Sequence, residues 1–153
     1  PIPFSHAVHA GTLRIDCMYC HTQAETGAQA TVPPVSTCMN CHEQVQPVDN
    51  RGELKPGIAT LLEHWESRRP LVWNKVHDLA DFAYFDHSRH VTAGISCQEC
   101  HGPVETMDRV RRESGMKMSW CLNCHMQTPP QGSAAALRGD AMRAPIHCTT
   151  CHR

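Results

Sequence analysis

Cys17-Met-Tyr-Cys20-His21 sets the reading of this chain, because the same spacing returns four more times. The other runs are Cys38-Met-Asn-Cys41-His42, Cys97-Gln-Glu-Cys100-His101, Cys121-Leu-Asn-Cys124-His125 and Cys148-Thr-Thr-Cys151-His152. Together they use all ten cysteines. C-x-x-C-H is the attachment signature of c-type haem. Two thiols add across the vinyl groups of one porphyrin, and the adjacent histidine lies under the ring and ligates iron. A zinc reading requires the runs to pair into four-ligand sites, and five runs do not pair evenly. It also leaves unexplained why a histidine follows every second cysteine. A disulfide framework has no use for those histidines. The sequence therefore predicts five covalent haems c. Cys17, Cys20, Cys38, Cys41, Cys97, Cys100, Cys121, Cys124, Cys148 and Cys151 hold the porphyrins, and His21, His42, His101, His125 and His152 hold the irons.

The composition fits that load. Of 153 residues, 41% are hydrophobic and only 5% aromatic, a thin inventory for a conventional core. Covalently bonded porphyrins are large apolar plates and serve as staples for a small scaffold. The expected fold class is a multihaem cytochrome c: mostly irregular, with short α-helices, haems forming the core and little or no β-sheet. Eleven prolines and nine glycines agree with many turns. Formal net charge is −1, and the only basic clusters are Arg109–Arg112 and Arg68–Arg69, so nothing points to nucleic acid. No run approaches the apolar length of a membrane span, and no signal peptide is visible. Covalent haem attachment to exported cytochromes takes place outside the bacterial cytoplasm. Pro1 is accordingly expected not to be the first residue of the gene, with an export signal or membrane anchor removed or lying outside this sequence.

The chain repeats internally. Phe4-Ser-His6-Ala-Val-His9 recurs as Phe85-Asp-His87-Ser-Arg-His90, Ile15-Asp16-Cys17 as Ile95-Ser96-Cys97, and Glu25-Thr26 as Glu105-Thr106. The offset is 81 residues at the histidines, 80 at the first haem run and 83 at the second. Each half is one F-x-H-x-x-H element followed by two haem runs. The expected organisation is a first dihaem repeat at 1–48, a linker with a short helix at 49–84, a second dihaem repeat at 85–127, and a C-terminal extension with the fifth haem at 128–153. Pro56 through Ser67 reads as a helix, with Pro56 in its first turn and Ile58, Leu61, Leu62 and Trp65 on one face. A second short helix is expected over 103–113. Residues 128–136 read as a flexible crossing.

Each iron takes a second axial ligand unless it binds substrate. Outside the runs stand His6, His9, His64, His77, His87, His90 and His147. In F-x-H-x-x-H the two histidines lie on neighbouring faces of one helical turn, placed to serve two haems. His6, His9, His87 and His90 are therefore expected ligands. For the fifth, His77 ranks first, His147 second, and a methionine (Met116, Met118 or Met126) third, methionine being more often a gap-filler. His64 falls off the apolar stripe of its helix and reads as a surface histidine.

F-x-H-x-x-H followed by closely spaced haem runs resembles the small class III multihaem cytochromes c, doubled and extended. The longer pattern runs from Phe4-Ser-His6 through Val32-Pro-Pro34, Pro70-Leu-Val-Trp73-Asn-Lys-Val-His77 and Tyr84-Phe85 to Trp120-Cys121-Leu-Asn-Cys124-His125. It resembles the pentahaem cytochrome subunit of alternative complex III over about residues 2 to 126. That resemblance implies a subunit of a quinol-oxidising membrane complex on the periplasmic side of the bacterial inner membrane. It implies integral-membrane and iron–sulfur subunits as partners, and a monohaem cytochrome c or terminal oxidase as acceptor. His77 belongs to the shared pattern, which supports it as fifth ligand. Members of that family carry an N-terminal membrane anchor that is not seen in this sequence.

Three functions compete. A haem relay inside a membrane complex is favoured by near-neutral charge and apolar linker residues such as Leu71, Val72, Trp73 and Phe82. A free periplasmic electron shuttle is the alternative, and such a carrier usually shows a charged docking face. An enzyme of the multihaem nitrite or hydroxylamine type needs an iron with an open position, whereas spare histidines outnumber irons here. The chain by itself is read as an electron-transfer subunit and not as an enzyme.

Overall fold

A computed structural model describes residues 1–127 and 144–152. The elements in chain order are a π-helical segment Ala7–Thr12, α1 Cys17–Cys20, α2 Val35–His42, α3 Pro56–Glu66, α4 His87–Thr92, α5 Cys97–His101, a 3-10 turn Val104–Thr106, α6 Met118–His125 and α7 Cys148–Cys151. Among the described residues there is no strand, only isolated bridges between Val48 and Leu54 and between Ala83 and His152. This is the short-helix, largely irregular architecture expected of a multihaem cytochrome. The expected crossing at 128–136 lies outside the described residues.

Every C-x-x-C-H run is helical through both cysteines. Helical pitch places positions i and i+3 on one face, so each pair of thiols points the same way. Extended residues lead into these helices: Asp16, Pro34, Ser96, Lys117 and His147 all have ψ between 143° and 161°. In α1 the Asp16 carboxylate also accepts from the Met18 backbone N–H at 2.7 Å, a side-chain N-cap.

The two F-x-H-x-x-H elements are both helical but differ in kind. The second forms the α-helix His87–Thr92, capped by Asp86, whose carboxylate accepts from the Ser88 N–H. The first forms a π-helix. The sequence supplies the cause, because between the histidine pair and the first haem run the first copy is one residue longer. A one-residue insertion widens the local turn instead of rotating everything after it. The bond that closes the element survives the insertion. Ile15 donates to the His9 carbonyl at 2.9 Å, as Ile95 donates to that of His90 at 3.1 Å.

Helix α3 spans Pro56–Glu66 as its pattern predicts, with Leu61 only 2% exposed. The helix expected over 103–113 does not form. Only Val104–Thr106 coils, as a 3-10 turn. Gly102 ends α5 at a positive φ of 71°, where a Cβ would collide with the Glu113 side chain. Beyond it the backbone is committed to tertiary bonds, with the Met107 carbonyl accepting from the Ala7 N–H at 3.0 Å. Tertiary pairing outweighs the weak local helix preference.

The chain divides into two units, and they cut across the segments read along the sequence. One comprises Pro1–Thr22, Thr31–Lys75 and Val104–Val110, and the other Gln23–Ala30, Val76–Pro103 and Arg111–Arg153. The stretch after the first haem run of each repeat thus belongs to the unit of the other repeat. The exchange is reciprocal in detail. In the first unit Ala7 donates to the Met107 carbonyl, and in the second Ser88 donates to the Gly27 carbonyl at 3.1 Å. These are matching positions of the repeat. Among the described residues the buried apolar side chains are only Ala24, Met39, Leu61 and Met107. Such a core is far below what a domain of this length ordinarily buries.

Candidate haem sites

The first unit carries the first two haem runs with His6 and His9. The second carries the other three runs with His77, His87, His90 and His147. In the first unit, Tyr19 and Asn40, which precede the second cysteines of their runs, are joined by a 3.0 Å bond from the Asn40 amide to the Tyr19 hydroxyl. Burial pushes the Cys20 and Cys38 thiols up, each further raised by a neighbouring cysteine of the other run. Cys100 and Cys121 repeat this in the second unit: burial raises both, Cys124 adds to it at Cys100, and Cys151 at Cys121. In each repeat the second cysteine of the first run and the first cysteine of the second are therefore the sheltered ones.

Ring nitrogens are anchored in a consistent way. Nδ1–H of His21 donates to the Thr31 carbonyl at 2.6 Å, His42 to Val45 at 2.7 Å, His125 to Pro145 at 2.8 Å and His152 to Phe82 at 3.1 Å. Three histidines of the F-x-H-x-x-H elements follow suit, while the buried Nδ1 of His6 has no hydrogen-bond partner. His9 donates to Ser5 at 2.8 Å, His87 to Ala28 at 2.9 Å and His90 to Asp86 at 2.8 Å. Donation from Nδ1 to a carbonyl fixes the tautomer that leaves the Nε2 lone pair for a metal, and raises its basicity. Burial pushes His6, His77 and His90 down in pKa, favouring the neutral imidazole that a metal requires.

Ring separations test whether these histidines fit an iron. A metal sits about 2 Å from each ligating nitrogen, with the ring centre about 1 Å behind it, so two axial imidazoles stand about 6 Å apart. His9 and His42 are 6.2 Å apart centre to centre, His87 and His101 6.2 Å, and His90 and His125 6.0 Å. The first and third of these pairs are equivalent positions of the repeat. The middle pair has its own equivalent in the repeat, His6 and His21, and after burial His21 is the neighbour that adds most to lowering the His6 pKa. The donor set therefore fits haem c with two axial histidines.

The remaining candidates are placed differently. His77 packs edge-on against His101 at 4.3 Å, too close to hold a metal between the two rings, and its Nε2 is buried without a hydrogen-bond partner. His147 precedes α7 as its N-cap residue. Met118 and Met126 are exposed, and Met116 sits at a positive φ of 45°. His64 is not a free surface side chain: its Nδ1–H donates to the Arg69 carbonyl at 3.2 Å, and it lines a cavity of about 870 Å³ with Trp65, Arg68 and Pro33. The carbonyl anchors escape sequence reading because a backbone oxygen has no residue signature. Phe4 and Phe85 were visible in the repeat, and both pack against its histidines.

Residues 83–153 match the family described as cytochrome c7 and related cytochrome c. The chain is also similar to "Menaquinone reductase, multiheme cytochrome c subunit" of Nitratidesulfovibrio vulgaris (strain Hildenborough). It is 31% identical to it over 146 residues, with 82% of this chain and 67% of the relative covered. With the helical C-x-x-C-H runs and the paired histidines, these matches mean that the chain belongs to the multihaem c-type cytochromes, electron-transfer proteins with covalently bound haem c.

Proposed function

We propose that this chain is a pentahaem electron relay with two axial histidines on every iron, working as a subunit of a quinol-oxidising membrane complex of the alternative complex III kind. The observation that carries the relay reading is the set of histidine pairs 6.0–6.2 Å apart, each joining one haem-run histidine to one F-x-H-x-x-H histidine. Bound haem c supplies a one-electron iron couple. The chain's own residues do the rest. His21 with His6, His42 with His9, His101 with His87 and His125 with His90 close both faces of four irons. The fifth, held by His152, takes His77, whose buried and unpartnered Nε2 is a ligand nitrogen in waiting. Closed axial positions exclude substrate from the metal, so no catalytic residue is assigned. Histidine pairs keep potentials low relative to His/Met sites.

Support for installation in a complex comes from two sides. The relative is by name a subunit of a menaquinone reductase. The sequence pattern resembles a subunit of a quinol-oxidising assembly. Among the described residues no helix is long and apolar enough to cross a membrane. Docking on integral-membrane and iron–sulfur subunits at the periplasmic face is the proposed mode of attachment, with a monohaem cytochrome c or terminal oxidase as acceptor. The test is affinity purification of a tagged chain from mild-detergent extracts of its native membranes. Recovery with integral-membrane and iron–sulfur subunits in fixed ratio is expected. A monodisperse haem-loaded monomer in the soluble periplasmic fraction contradicts it.

A further inference from the structure

The phenylalanine of each F-x-H-x-x-H element holds the same relation to its two histidines. The Phe4 ring stacks on His9 at 4.4 Å and 26°, and stands edge-on to His6 at 4.9 Å and 89°. The Phe85 ring stacks on His90 at 4.4 Å and 26°, and stands edge-on to His87 at 4.8 Å and 88°. The two copies agree although the helices that carry them on differ, π-helical over Ala7–Thr12 and α-helical over His87–Thr92. The same pair of ring contacts therefore recurs at the two matching positions of the repeat. Both geometries are the ones aromatic rings prefer.

Burial does not explain the residue. Neither phenylalanine is fully buried, and a leucine would fill comparable space. What leucine lacks is a plane. His9 and His90 are each tied at Nδ1 to a carbonyl four residues back, at 2.8 Å. One hydrogen bond fixes a point on the ring and still allows the ring to tilt about it. The stacked phenyl face removes that tilt, and the phenyl edge does the same for His6 and His87.

We propose that Phe4 and Phe85 are positioning residues, each fixing the orientation of two axial histidines that belong to two different haems. This rests on the ligand assignment above. Phe4 sets the rings over the first and second haem runs, and Phe85 those over the third and fourth. The mutual angle of axial imidazole planes controls the splitting of the iron d orbitals and so the g-values of the ferric low-spin signal, with the axial field also tuning potential. One phenylalanine therefore coordinates a neighbouring pair of haems.

The experiment is low-temperature electron paramagnetic resonance of the fully oxidised, haem-loaded chain, with Phe85→Leu, Phe4→Leu and Phe85→Tyr. Phe85→Leu shifts two of five low-spin signals and leaves three in place, Phe4→Leu shifts a different two, and Phe85→Tyr keeps the wild-type spectrum. Should Phe85→Leu fail to load haem, Phe4→Leu and Phe85→Tyr decide in the same way. Unmoved signals, a shift confined to one haem, a shift spread evenly over all five, or a tyrosine variant as altered as leucine overturns the proposal. A wild-type spectrum without low-spin bis-histidine signals instead overturns the ligand assignment itself, and the two failures are thereby told apart.

Discussion

Met107→Ala separates position in the chain from position in the fold. Met107 follows shortly after the third haem run, yet it belongs to the first unit, where its carbonyl accepts from Ala7 next to His6. It is 2% exposed and one of few buried apolar side chains. Truncating a buried methionine to alanine costs about 2–5 kcal/mol, depending on how far the site collapses. Against a total stability of about 5–15 kcal/mol this is a large fraction, and about 2 kcal/mol alone changes the folded-to-unfolded ratio about 30-fold. The assay is guanidinium unfolding followed by Soret absorption, paired with the low-spin resonance spectrum. The midpoint falls, and the disturbed signals are those of the His6/His21 and His9/His42 sites. A loss below about 0.5 kcal/mol, which is surface-like, or a disturbance confined to the third and fourth sites, refutes the exchanged arrangement.

Other substitutions probe other parts of the account. Gly11→Ala drives a Cβ into the Glu105 carbonyl; overpacking of this kind costs about 1–3 kcal/mol, read as a lower unfolding midpoint, and unchanged stability contradicts the close approach. Leu61→Ala empties the buried face of α3 and lowers stability by about 2–5 kcal/mol, while the haem signals hold their positions. His77→Ala turns one of five low-spin haems high-spin in the absorption and resonance spectra; if His147→Ala does so and His77→Ala does not, the fifth ligand is His147.

The haem runs, the repeat and helix α3 were legible because each rests on side-chain identity at a fixed spacing. The histidine pair of F-x-H-x-x-H was visible as a repeat, and the fold brings His9, His87 and His90 to 6.0–6.2 Å, centre to centre, from His42, His101 and His125. The π-helix was implicit in the change of offset from 81 to 80 residues, since an inserted residue has to be absorbed somewhere. The irregular path of residues 103–113 was not legible. Its backbone pairs with a segment about a hundred residues earlier, and no local pattern encodes that partner. The same limit hid the Nδ1 anchors: Thr31, Val45, Ala28 and Pro145 contribute only carbonyls. It also hid the exchange of Gln23–Ala30 and Val104–Val110 between units, which periodicity along the chain cannot express.

The proposed relay requires five covalent haems, each closed by histidine on both faces. Intact mass under denaturing conditions, measured on the chain matured in a host with haem-attachment machinery, tests the covalent half directly, and a pyridine haemochrome titration of the same sample gives the haem count. The expected result is a mass increment of five haems with no free thiol among the ten cysteines. An increment of fewer than five haems, or bound zinc in place of porphyrin, contradicts it.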